Sequence, residues 1–248
     1  MIILTPTCDY IDGVEVILSS TKSSHQVLIS DNSKTKDIEI LCKKYNHVQY
    51  FYNPPKGYVD NFNNLLLMTR NKFVCLIADN EFINSSDLQK LNLINFKNDT
   101  VYFMNFEVTK NSKVLNKGLP IIFKKILIHF FPKILLFFNF IGPTASYIYY
   151  NSQEQYYDSY LKWYVDTDFL YRIIKSKKFE FLNIVVNSPI KLNSLTDNLE
   201  NKFIISIKES FYLKKKYHIN YLEFVFCFCL SIFFRVILKI INISRNFL

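Results

Sequence analysis

Asp79-Asn80-Glu81 places two carboxylates and an amide within three residues, directly after the apolar run Phe73-Val74-Cys75-Leu76-Ile77. Carboxylates grouped in this way can bridge a divalent cation. The same triplet also reads as a solvated turn ahead of a helix cap at Asn84 or Ser85. Asp31-Asn32-Ser33 follows the apolar Val27-Leu28-Ile29 in the same fashion, and Thr5-Pro6-Thr7 follows Ile2-Ile3-Leu4. Far downstream, Asp166 and Asp168 lie in a stretch of helical pattern. A carboxylate there can take a proton as a general base, or can face solvent or cap the helix.

These groups need elements to hold them. Over the first hundred residues, short buried strands alternate with helical segments, the pattern of a mainly parallel sheet with crossover helices. Strands are expected at 2–4, 27–29, 48–52 and 73–77, and helices at 14–22, 37–45 and 59–69. Asn53-Pro54-Pro55-Lys56-Gly57 is a loop signal. In open α/β sheets, ligands bind beyond the carboxyl ends of strands. The polar turns at Thr5, Asp31 and Asp79 are therefore expected along one sheet edge.

The later half differs. Residues 119–141 are apolar, with Lys124, Lys125, His129 and Lys133 and no acid. Lys125, His129 and Lys133 share one helical face, and Pro132 should bend or divide the segment. A helical stretch covers 159–175, a polar loop 187–201, and a basic and then strongly apolar tail closes the chain. The expected organisation is a domain of residues 1–200, in halves 1–106 and 107–200, followed by a tail of 201–248.

Half of the residues are hydrophobic and 21% are charged, which excludes a disordered chain. The net charge is +9, and eight Lys or Arg against two Glu between 202 and 248 put most of the excess in the tail. Residues 224–234 are too short an apolar run for a spanning helix, which needs roughly 20 residues. A segment lying in the membrane interface fits better, with docking on a protein partner as the alternative. The basic residues are threaded through aliphatic sequence with no nucleic-acid motif, so no nucleic-acid partner is expected. The five cysteines have no metal-ligand spacing, and Cys227 and Cys229 read as small apolar side chains. With no signal-peptide pattern at the N-terminus, a cytoplasmic location, peripheral on the inner face of the cell membrane, is expected.

Four places in the chain together resemble the family-2 glycosyltransferases, inverting enzymes of GT-A fold. Pro6-Thr7-Cys8-Asp9 is similar to the opening loop of that family, and Ser30-Asp31-Asn32-Ser33 to its nucleoside-contacting loop. Gly57 and Asn63, followed by Asp79-Asn80-Glu81 after the next strand, resemble the approach to its Asp-rich motif. Gly142-Pro143-Thr144, Tyr157-Asp158-Ser159-Tyr160-Leu161 and Val165-Asp166-Thr167-Asp168-Phe169-Leu170-Tyr171-Arg172 resemble its acceptor-side half. The likeness covers roughly residues 1–190.

The resemblance implies an α/β fold of GT-A (Rossmann-like) type, with a mainly parallel mixed sheet flanked by helices, to which the tail is expected to add a C-terminal amphipathic membrane-associating segment. It implies transfer of a sugar from a nucleotide-sugar donor to a saccharide acceptor, lipid-linked by virtue of the tail, in surface-polysaccharide assembly. Asp166 would be the catalytic base; Thr7, Asp31, Asn63 and Asp79 would bind the donor; Asp79 and Glu81 would hold Mn²⁺ or Mg²⁺. Three positions depart from the pattern. Ala78 and Asn80 stand where many members have the two acids of Asp-x-Asp, and Cys8 replaces an aromatic residue often stacked on the base. They leave open a glycosyltransferase-like scaffold that has lost turnover. A sugar-phosphate nucleotidyltransferase is disfavoured by the lack of a Gly-rich basic loop near the N-terminus.

Overall fold

In the computed structural model, residues 1–21, 25–54, 57–110, 113–152, 155–190 and 201–245 are described. Part of the Pro-Pro-Lys loop (55–56), most of the polar loop (191–200) and the last three residues of the tail lie outside them. The first half alternates as its pattern dictates: β1 (Ile2–Thr7), α1 (Ile11–Thr21), β2 (Gln26–Asp31), α2 (Asp37–Cys42), β3 (Val48–Tyr52), α3 (Tyr58–Met68) and β4 (Lys72–Leu76). There follow β5 (Phe82–Ile83), α4 (Ser85–Leu91), β6 (Thr100–Lys110), β7 (Lys113–Asn116) and α5 (Ile121–Phe130). After 3₁₀ turns at Pro132–Leu136 and Thr144–Ser146 come β8 (Tyr147–Asn151), α6 (Val165–Ile174), β9 (Lys178–Pro189), α7 (Lys202–Lys216) and α8 (Tyr221–Arg245).

The strands form one mixed sheet in the order β3-β2-β1-β4-β8-β6-β9-β5, with β7 paired to β6. β3, β2, β1 and β4 run parallel, and β8 is antiparallel to both of its neighbours. Side chains alternate across each strand, so the sheet has two apolar faces. Leu4, Leu28, Val74 and Leu76 pack on the side of α3, α6 and the 132–136 turn, while Ile3, Val27, Ile29 and Cys75 pack on the side of α1, α2 and α4.

Pro132 divides residues 119–141 as expected, because its ring cannot continue α5 and it opens a 3₁₀ turn instead. The expected single face of Lys125, His129 and Lys133 does not form, since α5 ends at Phe130. Lys124 takes the buried position: its ammonium donates to the Ile141 carbonyl at 2.8 Å, and burial lowers its pKa to about 8. The helix expected over 159–175 starts only at Val165, and residues 159–164 form its approach.

Residue 200 does not mark the edge of a packing unit. Leu213 of α7, Ile219, and Phe224 and Cys227 of α8 belong to the same core as Leu4 and Phe169. Among the described residues, no helix is long and apolar enough to cross a membrane.

Candidate functional site

Parallel pairing brings three strand ends together. Thr7 lies opposite Asp31 in the β1–β2 register, and the Ile77 amide donates to the Leu4 carbonyl at 2.8 Å, carrying β4 alongside β1 towards Asp79. The Thr7 hydroxyl then donates to Asp79 Oδ2 at 3.1 Å. The exit loops of β1 and β2 are also tied together: the Asp9 amide donates to Ser33 Oγ at 2.7 Å and the Lys34 amide to Asp9 Oδ1 at 3.1 Å. Asp9 adopts a left-handed φ of 53°, a conformation that Asp tolerates better than most residues.

Asp31 is fully buried and holds its own loop. Its Oδ1 accepts the Ser33 amide at 2.8 Å and the Ser33 hydroxyl, and its Oδ2 accepts the Tyr50 hydroxyl at 2.9 Å. Asp79 is half-buried at the edge. Gly13 explains how α1 can approach it so closely: a Cβ added there would stand 1.6 Å from the Asp79 carbonyl oxygen. Only a residue without a side chain fits.

Glu81 turns inward. It is buried, and its Oε2 accepts from the Ala78 amide (3.2 Å), the Ala145 amide (3.2 Å) and the Thr144 hydroxyl (3.3 Å). Burial raises its pKa to about 8, against the opposing pull of these donors. The resemblance assigned Glu81, with Asp79, to a divalent cation; here its Oε2 is held by donors of the β4 exit and of β8's approach. Among the described residues, no three His, Cys, Asp or Glu side chains gather as a metal site.

Asp166 lies in the first turn of α6 and is partly exposed, yet its Oδ1 is buried and has no hydrogen-bond partner among the described residues. Burial raises its pKa to about 6, so it is mostly ionised at pH 7. Its charge helps to raise the pKa values of Glu81, Tyr58, Tyr147 and Tyr157, so it lies within electrostatic range of these groups. Asp168, the competing candidate, is fully buried and occupied. Its Oδ1 accepts Tyr217 Oη at 2.7 Å and Lys216 Nζ at 2.8 Å, and its Oδ2 accepts Arg172 Nε at 3.1 Å.

Asn63 is not brought to the strand edge. Its side-chain amide donates to the Tyr157 carbonyl at 3.0 Å and accepts the Tyr157 amide at 2.6 Å, clasping the approach to α6. Asn61, which the sequence reading passed over, reaches the edge: it donates to the Ser30 carbonyl at 2.9 Å and the Thr7 carbonyl at 3.4 Å. Its signal was a polar side chain four residues before Leu65 on the buried face of α3. Tyr50 and Gly13 were also passed over.

No protein-family model matches the sequence, and no curated protein matches it. Solved structures do match. The chain superposes on residues 1–349 of TarS from S. aureus in complex with UDP-GlcNAc with a TM-score of 0.61 and 14% identity, over 86% of this chain and 66% of the other. Against the same TarS fragment in complex with UDP the TM-score is 0.55 at 14% identity, over 77% of this chain and 60% of the other. Against S. aureus TarS itself it is 0.55 at 12% identity, over 89% of this chain and 44% of the other. The chain thus spans just under two-thirds of the fragment and less than half of TarS. At these identities the likeness is one of fold, and the fold of this chain is a GT-A-like mixed α/β sheet flanked by helices.

Proposed function

We propose that this chain is a nucleotide-sugar glycosyltransferase that moves a sugar, with inversion, onto a saccharide acceptor in surface-polysaccharide assembly. One arrangement supports the reading: Thr7 bonded to Asp79 at the ends of parallel strands, and Asp166, whose Oδ1 is buried with no hydrogen-bond partner among the described residues, within electrostatic range of Glu81 in the same loop as Asp79. The likeness to TarS, whose fragment was solved with UDP-GlcNAc and with UDP, makes UDP-GlcNAc the first donor to test.

In this reading Thr7 and Asp31 frame the nucleoside end and Asp79 meets the ribose–diphosphate portion. Asp166 takes the proton from the acceptor hydroxyl as its oxygen bonds to the anomeric carbon. The bond from that carbon to the β-phosphate oxygen breaks on the opposite face, and its electron pair leaves with the nucleoside diphosphate. One in-line displacement inverts the centre. A divalent cation would neutralise the leaving diphosphate, with Asp79, half-buried at the sheet edge, as the carboxylate that would hold it. Asn63 is assigned to holding the loop before α6 rather than to the donor.

The acceptor is assigned as lipid-linked, and the chain as peripheral on the inner face of the cell membrane. Exposed Ile122, Phe123, Ile126 and Phe130 on α5 support this, together with exposed Phe226 on α8, whose ring lies 5.8 Å from that of Phe131.

Asp166→Asn tests the base directly. Turnover, followed as UDP release from UDP-GlcNAc and other UDP-sugars, is expected to fall by roughly 10²–10⁴-fold, with donor affinity within twofold of wild type. Undiminished turnover would remove Asp166 from the mechanism.

A further inference from the structure

The segment that delivers Asp166 is not held by its own helix. Residues 162–164 precede α6, and their amides point away from any intrahelical partner, as the first amides of a helix must. A single side chain takes all three. Glu209 of α7, buried at 4% exposure, accepts the Lys162 amide on Oε1 at 2.7 Å and the Trp163 and Tyr164 amides on Oε2 at 3.0 Å each. The opposite side of Lys162 is gripped from α3, where Tyr58 Oη donates to the Lys162 carbonyl at 2.9 Å.

The register of α7 against this segment is fixed at a second point. Lys216 Nζ donates to Asp158 Oδ2 at 2.7 Å and to Asp168 Oδ1 at 2.8 Å, and Tyr212 Oη donates to Asp158 Oδ2 at 2.8 Å. Asp158 before α6 and Asp168 inside it are thus both bound to α7, bridged by the one ammonium of Lys216. Glu209 is one of only two acids in the last 47 residues, and it stands in a helix that otherwise carries lysines. A carboxylate is withdrawn from water only where donors replace it, and these three amides are the donors.

From this geometry we propose that Glu209 is a positioning residue for Asp166, acting through the backbone of residues 162–164, so that α7 is part of the catalytic unit. The proposal rests on the transferase reading, in which Asp166 is the base. Glu209 touches neither donor nor acceptor in this role. A glutamine there keeps the size and one acceptor oxygen, but it turns an amine towards an amide that needs an acceptor.

Trp163 is the chain's only tryptophan and sits at the centre of the clamp, so emission excited at 295 nm reports on this segment alone. The experiment compares full-length wild type, Glu209→Gln and Asp166→Asn by acrylamide quenching of Trp163, by UDP release and by UDP-GlcNAc affinity. Glu209→Gln is expected to at least double the quenching constant and to lower kcat tenfold or more, with donor KM and Kd within twofold. Glu209→Ala serves as the second variant, with kcat reduced further and normalised to folded protein.

Wild-type quenching in Glu209→Gln would overturn the clamp. Altered quenching with kcat within twofold of wild type would overturn the positioning role. An Asp166→Asn enzyme that turns over normally would instead overturn the base assignment on which the proposal rests, whatever Glu209→Gln does.

Discussion

Burial of Asp166 has a consequence for stability as well as for catalysis. Its folded pKa of about 6 lies above the ordinary value of 3.8, so the folded chain holds this proton more tightly than the unfolded chain does. As pH rises from about 4 through about 6, the unfolded state ionises first and stability falls; above that the loss is complete. At 1.36 kcal/mol per pKa unit the loss approaches about 3 kcal/mol. Asp166→Asn cannot ionise, so thermal unfolding should show it more stable than wild type at pH 7.5, by several degrees in Tm, and nearly equal to it at pH 4. In the proposed mechanism, that lost stability accompanies the carboxylate that serves as base. A variant no more stable than wild type at pH 7.5 would mean that Asp166 is well solvated. Glu81 titrates in the same sense at higher pH, from 4.5 towards about 8.

At the scale of elements, the proposed donor edge depends on how closely α1 meets the loop after β4. Gly13→Ala would drive a Cβ into the Asp79 carbonyl oxygen, so either the helix or the loop must move. UDP-GlcNAc affinity should drop at least tenfold, with a loss of about 1–3 kcal/mol in stability by denaturant unfolding. Unchanged affinity would show that Asp79 does not need its present position. The strand ends themselves were legible in the sequence, because apolar runs followed by Thr, Asp and Ser turns are local signals. Helical phase was not: Asn61 and Asn63 are only two residues apart, and which of them faces the strand edge depends on how α3 packs. The pattern at 159–164 also reads as helix, yet the Lys162, Trp163 and Tyr164 amides are taken by Glu209 from a helix about 46 residues away. Such long-range partners leave no periodicity to read. β6 and β9, paired in parallel along most of their length, are likewise set by contacts between distant segments.

At the scale of the molecule, the tail is not an attachment that can be removed cleanly. Phe224 and Cys227 face the core, while Leu222, Phe226, Phe233 and Val236 of the same helix are exposed. Phe226 meets Phe131, which meets Phe130 of α5, and Phe123 on the same helix is also exposed. Each buried Phe contributes about 1.5–3 kcal/mol, so Phe123→Ser combined with Phe226→Ser should weaken binding to phosphatidylglycerol vesicles at least tenfold in sedimentation assays. Undiminished binding would place membrane contact elsewhere. The proposed transfer depends on a donor site at the ends of β1, β2 and β4. The most direct measurement is calorimetric titration of UDP-GlcNAc and related UDP-sugars into wild type and Asp79→Ala, with and without Mn²⁺. Saturable binding of a UDP-sugar to wild type and at least tenfold weaker binding to Asp79→Ala are expected; equal affinity of the two proteins, or no binding by wild type, would rule out the donor site.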